Sequence, residues 1–180
     1  MSYIQRDTLS LHSAILWCPL FIVLALSPLP ANSAEEFKIK HFSDWSLRCQ
    51  LATDSTSRNC ELFQRVVHKK SEQQLLQLAF AYQQGSKQPV AIALLPLGIL
   101  LTSGIGLQVD NNKAIQSSVR TCTAQGCQML FLAGDEFLRS LKAGLILRVA
   151  FLDATSGRQI TVPISLKGFS AGIKALRATR

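Results

Sequence analysis

The chain has 180 residues and a formal net charge of +8, from 19 basic and 11 acidic side chains. That length suits one domain behind a leader, and no internal repeat, low-complexity tract or linker divides it. The positive balance favours contact with anionic surfaces, yet the basic residues are scattered and only Lys69 and Lys70 adjoin, which excludes the continuous basic stripe of a nucleic-acid reader.

Residues 1–12 are polar with Arg6 as the one basic side chain, residues 14–26 form an unbroken apolar run, and residues 27–34 are small and proline-containing. This is the pattern of a cleavable signal peptide. The apolar run is about thirteen residues, short of the roughly 20 that a bilayer core demands, and it ends at Pro28 and Pro30 rather than at a basic flank. Residues 1–34 are therefore predicted to be removed by a cut after Ser33 or Ala34, leaving one exported domain over residues 35–180. Losing Arg6 and Asp7 together leaves the net charge at +8. Cys18 lies inside the apolar run behind the bulky Trp17, a poor setting for lipidation, and goes with the leader. No later segment reaches transmembrane length without a polar or glycine interruption, so the mature chain is expected to lack a transmembrane helix.

Short apolar stretches separated by Gly, Pro, Asn or Ser turns then recur, which predicts an all-β domain. Trp45, Leu47 and Cys49 alternate with Ser46, Arg48 and Gln50. After the polar loop 51–59, the run 60–68 returns antiparallel to it. Residues 75–82 alternate with period two, placing Leu76, Leu78, Phe80 and Tyr82 on one face. Residues 90–95 are apolar on both faces and end at Pro96, the mark of a central strand. Turns follow at residues 103–106 and 110–113. Residues 117–123 and 128–133 flank a loop closed by Cys122 and Cys127. A short helix is predicted over 135–142, capped by Asp135 and stopped by Gly144, with Phe137, Leu138 and Leu141 as its apolar stripe. In the last hairpin Leu145, Leu147, Val149 and Phe151 face inward, the turn is 154–157, and Ile160, Val162, Ile164 and Leu166 resume the inward face. Pro163 places this final strand at a sheet border. A closing helical turn is expected over 170–176. Seven or more strands in one domain of this size fit a two-layer sandwich.

Without Cys18 the cysteines number four, which allows three pairings. Residues opposite one another on adjacent antiparallel strands meet the distance a disulfide needs, so Cys49–Cys60 and Cys122–Cys127 are predicted. Each is expected to contribute roughly 2–3 kcal/mol by constraining the unfolded chain. Zinc is disfavoured, because neither His41 nor His68 stands at a knuckle spacing and an oxidising compartment removes thiolates. Four residues, not two, separate Cys122 from Cys127, which argues against a thiol-exchange motif. Gly-x-Ser-x-Gly and His-Glu-x-x-His are absent, and Gly104-Ile105-Gly106 is only a fragment of a dinucleotide fingerprint. No catalytic residue, metal ligand or cofactor is assigned.

Asp44-Trp45 with Cys49, Leu95-Pro96-Leu97-Gly98 followed by Gly104, Leu107 and Asp110, then Cys122 to Gly126-Cys127, and Ser165-Leu166-Lys167-Gly168-Phe169-Ser170-Ala171 occur in an order and spacing that resembles the invasion-associated locus B family. The resemblance runs from about Asp44 to Leu176. It implies an immunoglobulin-like β-sandwich in a bacterial protein of the periplasm or outer membrane, in a family whose founding type is linked to host-cell invasion. It brings no catalytic residues. Trp45 and Phe169 read as core anchors, and Gly98, Gly104, Gly126 and Gly168 as turns of positive φ.

The expectation is thus a non-enzymatic envelope module that binds an envelope or host protein, or an anionic surface component. Lys38, Lys40, Lys69, Lys70 and the loop 51–59 are its candidate contacts. The alternative is a periplasmic carrier or chaperone-like protein holding an apolar ligand between its sheets.

Overall fold

A computed structural model of the protein describes residues 37–50 and 59–180. The predicted signal peptide, Cys18 and residues 51–58 of the candidate contact loop lie outside the described residues. Within the described residues eleven strands form two antiparallel sheets. The larger comprises β1 (Phe37–Phe42), β2 (Trp45–Gln50), β3 (Cys60–Val67), β4 (Gln74–Ala81), β5 (Val90–Leu95), β8 (Val119–Thr123) and β9 (Gly126–Leu132), in the order β1-β2-β3-β4-β5-β9-β8. The smaller comprises β6 (Ile105–Val109), β7 (Ile115–Ser117), β10 (Ile146–Leu152) and β11 (Gln159–Ser165), in the order β11-β10-β6-β7. Helices α1 (Asp135–Ala143) and α2 (Phe169–Arg177) complete the domain. This is the all-β sandwich with two short helices that the alternation implies, with β5 central in its sheet and Pro163 on the border strand β11.

Both predicted disulfides are formed, Cys49–Cys60 across β2 and β3 and Cys122–Cys127 across β8 and β9, each between directly opposed residues. The inner face of the larger sheet carries rows such as Leu47, Leu62, Phe80 and Ala91, and Leu78, Ala93 and Met129, all buried. The smaller sheet lies against part of this face, with β11 meeting β3 and β7 meeting β9, while α2 packs on β1, β2 and β3. A four-stranded sheet is too narrow to cover seven strands, and α2 closes the remainder. Its Phe169 ring sits 5.1 Å from both the Trp45 and Phe80 centroids, in edge-on contact. Trp45 and Phe169 are fully buried, as their reading as anchors requires.

Gly98, Gly104, Gly126 and Gly168 all adopt positive φ. At Gly168 the requirement is absolute, because a Cβ would lie 1.9 Å from the Phe42 carbonyl oxygen. Three local expectations change. Gly134, not Asp135, occupies the N-cap of α1, and Asp135 instead puts its charge in the first turn beside the helix's positive pole. Leu145 is 78 % exposed because β10 begins one residue later, where the Asp110 carboxylate accepts the Leu145 and Ile146 N–H groups. Ile160, in turn, is exposed near the outer end of β11.

Candidate functional site

Lys38 and Lys40 stand on β1, a border strand, opposite Cys49 and Leu47 and so on the side of the sheet that faces inward. Both are exposed, and Lys40 Nζ lies 5.4 Å from the Phe42 ring centroid. Charged residues on the inward side of a border strand discourage another strand from adding there. Lys69 and Lys70 are exposed in the β3–β4 turn. Lys40 aligns with Leu62 through Leu47, so Lys69 is seven residues further along the strand direction, more than about 20 Å at the strand rise. The four lysines do not form one contact surface.

The larger sheet's outer face is a different matter. One row across it runs His41, Ser46, Phe63, Ala79, Ile92 and Leu130. The row beside it ends at Val90 and Leu132. Phe63, Ile92, Leu94 and Leu130 are half-buried and take no part in the core cluster, while Ile39 and Leu132 are 51 % and 59 % exposed. The small Ala79, 3 % exposed, sits between the larger Phe63 and Ile92 as the floor of a shallow apolar trough in mid-sheet. Arg48 frames one end; it pairs with Glu61 and stacks over the rings of Phe37 and Phe63. Arg65, bonded to Gln77, lies one row on. The apolar character of residues 90–95 on both faces was the sequence signal. It identifies a central strand, but periodicity does not tell whether the second face is covered.

Two further features involve the helices. A cleft of about 630 Å³ opens between β6, β7, β9 and α1, lined by Leu107, Val109, Ile115, Phe131 and Phe137, with Lys113 and Glu136 also on its wall. The Phe131 and Phe137 rings pack in a tilted arrangement, 5.5 Å between centroids. The second is a groove between α1 and α2 lined by Lys87, Arg139, Lys142, Lys174 and Arg177. These five cations were missed in the sequence, where they are scattered over ninety residues.

His41 Nδ1 lies 2.9 Å from the Ser46 hydroxyl and His68 Nδ1 3.0 Å from that of Ser71, both in exposed positions. Among the described residues no group of three His, Cys, Asp or Glu side chains is placed to hold a metal, and no helix is long and apolar enough to cross a membrane. Two carboxylates depart from their ordinary behaviour. Asp110 is held below the usual carboxylate value by the Ile146 and Leu145 N–H groups, with a smaller contribution from Arg148. Asp153 is lowered by the Ser156 hydroxyl and backbone in the turn before β11.

The family model described as Invasion associated locus B (IalB) protein matches residues 45–177, nearly the whole described domain. The chain belongs to the invasion associated locus B family. It is 30% identical over 136 residues to invasion protein B of Bartonella bacilliformis, covering 73% of this chain and 70% of that protein. To an invasion protein B homologue of Brucella abortus it is 26% identical over 137 residues, covering 76% of this chain and 78% of the relative. The crystal structure of invasion associated protein b from Bartonella henselae has the same fold, with a TM-score of 0.68 at 23% identity over 78% of this chain and 95% of that one. Of the positions on which the sequence resemblance rests, Trp45 and Phe169 are buried in the core and Gly98, Gly104, Gly126 and Gly168 adopt positive φ.

Proposed function

We propose that this IalB-family chain is an exported, non-enzymatic interaction protein of the bacterial cell envelope, which docks an apolar patch of an envelope or host protein on the outer face of its larger sheet. The observation that carries this reading is the apolar row of Phe63, Ile92 and Leu130 on the outer face of the larger sheet, half-buried side chains that take no part in the core cluster. Contiguous exposed apolar surface on a folded domain marks a contact site, since leaving it in water costs free energy that a partner recovers. Export is supported by the leader pattern and by two disulfides, which persist in oxidising compartments. Association with the envelope is supported by membership of a family whose relatives are named invasion proteins.

The test is capture of partners from envelope and host-membrane extracts by the purified chain and by an Ile92→Lys/Leu130→Lys variant. The reading expects a partner retained at high salt by the first and lost by the second, with the melting temperature unchanged. A partner retained equally by both, or released by salt alone, rejects it.

A second reading, a carrier of an apolar ligand, rests on the cleft of about 630 Å³ beside Phe131 and Phe137, a size and lining suited to a small apolar molecule. Native mass spectrometry of protein purified from its own cells checks it, with a co-purifying mass in its favour and an empty chain against it.

A further inference from the structure

The two walls of the groove between α1 and α2 repeat one spacing. Leu138, Arg139 and Lys142 line it from α1, and Ile173, Lys174 and Arg177 line it from α2 at the same i, i+1 and i+4 positions. Leu138 and Ile173 are 8 % and 4 % exposed and form an apolar floor, whereas the four cations stand in solvent along the rims. Lys87, from the loop between β4 and β5, and Tyr82 close one end; the Arg180 guanidinium lies 4.9 Å from the Tyr82 ring centroid. The space enclosed is about 390 Å³.

Five cations and one carboxylate, Asp135, therefore line a single groove. Among the described residues the one ion pair is Arg48–Glu61, on another surface, so none of the five has a carboxylate within salt-bridge distance. Like charges gathered in this way repel, and the arrangement is unfavourable until an anion enters. Helix polarity explains part of it, because Lys142, Lys174 and Arg177 fall in last turns, where cations offset the negative pole. It does not explain Arg139, one turn earlier, nor Lys87, which belongs to a loop of the larger sheet, nor why the two basic helix faces are turned toward one another.

We propose that the groove between α1 and α2 binds a ligand bearing two or more phosphate groups. The guanidinium forks of Arg139 and Arg177 suit paired phosphate oxygens, and the lysines act as point charges that neutralise the remainder. A single carboxylate carries too little charge to balance five cations. This binding is independent of the trough on the opposite side of the sheet.

Calorimetric titration of the purified disulfide-bonded protein with inorganic pyrophosphate, and sedimentation with phosphatidylcholine vesicles with and without cardiolipin, test the proposal. Binding is expected to weaken with salt, and Arg139→Glu/Arg177→Glu to lower affinity about 10-fold or more, since each charge-assisted contact is worth a tenfold change or better. Lys38→Glu/Lys40→Glu alters the net charge equally on β1 and is expected to change affinity less than about twofold, as exposed charges remote from a site do. The neutral pair Arg139→Gln/Arg177→Gln, expected to fall between, guards against a folding defect from charge reversal. Pyrophosphate bound without vesicles identifies a soluble phosphorylated ligand, and cardiolipin-dependent sedimentation identifies a lipid headgroup. No binding to either probe overturns the proposal, and so does an equal loss in the two charge-reversed variants.

Discussion

The side-chain amide of Gln64 pairs with the backbone of Ser165 as a neighbouring strand would, its Nε2 donating to the carbonyl at 3.0 Å and its Oε1 accepting the N–H at 3.1 Å. Gln64 is 8 % exposed, and Nε2 donates as well to the Asp44 carbonyl at 3.0 Å. Trp45 Nε1 donates to the same Ser165 carbonyl at 2.9 Å. Strand β3 of the larger sheet is thereby fastened to the end of β11 of the smaller one, by polar groups inside an otherwise apolar core.

Removing this amide leaves buried backbone groups unpaired. Gln64→Leu is expected to cost about 2–4 kcal/mol, from the penalty of unsatisfied buried donors and acceptors. Gln64→Glu keeps the shape but aims a carboxylate at two carbonyl oxygens. Its pKa is expected to rise, so its destabilisation grows as pH rises through that value and is partly relieved on acidification. Urea denaturation at neutral and mildly acid pH measures both effects, and equal stability of the two variants at all pH values would contradict them.

Gly168 and Gly98 separate two reasons for needing glycine. Both have positive φ, but a Cβ at Gly98 meets nothing within 4 Å, whereas at Gly168 it would overlap the Phe42 carbonyl oxygen at 1.9 Å. Gly98→Ala is expected to cost about 1 kcal/mol of backbone strain. Gly168→Ala adds displacement of β1 from the start of α2 and is expected to lose about 3 kcal/mol or more, within the range of severe core lesions. Thermal melts of the two variants provide the comparison, and similar melting temperatures would refute it.

Asp110 links the end of β6 to the start of β10, and its lowered pKa gives stability a defined pH dependence. A carboxylate whose folded pKa lies below its unfolded value of about 3.9 contributes above that value and loses the contribution as pH falls through the folded pKa. The melting temperature is therefore expected to drop below about pH 4, and to drop less steeply in Asp110→Asn, which has no proton to gain. Asn also tolerates the left-handed backbone at this position, where φ is +47°. Parallel acid titrations of the two melting curves decide the matter.

The disulfides are expected to act independently, since they staple different hairpins. Replacing Cys49 and Cys60 by alanine should cost roughly 2–3 kcal/mol, and replacing Cys122 and Cys127 slightly less because its loop is shorter. Chemical denaturation of each double variant and of the quadruple variant tests additivity; a quadruple loss far from the sum would show coupling.

The strands that bury one face were legible because their period-two alternation records burial directly, as at Trp45-Leu47-Cys49 and Leu147-Val149-Phe151. Local disulfides followed from the same hairpins. Strand β1 escaped recognition because Phe37, Lys38, Ile39 and Lys40 are all exposed and no core position anchors the pattern. Helix α2 gave a weak signal, for its Gly172 and short length lower propensity, and its place is decided by Phe169, Ile173 and Leu176 meeting the sheet. Lys38 with Lys40 and Lys69 with Lys70 are close in sequence, whereas the α1 and α2 cations gather only because the chain returns. The matching spacing of Arg139 with Lys142 and Lys174 with Arg177 was visible, but not that the two helices adjoin.

Phe169 enters the space between Trp45 and Phe80 from α2, which follows every strand of both sheets. During synthesis from the amino end, β2 and β4 emerge with their aromatic centre incomplete, and it stays so until α2 has been made. Loss of α2 would therefore take away the piece on which the earlier strands depend.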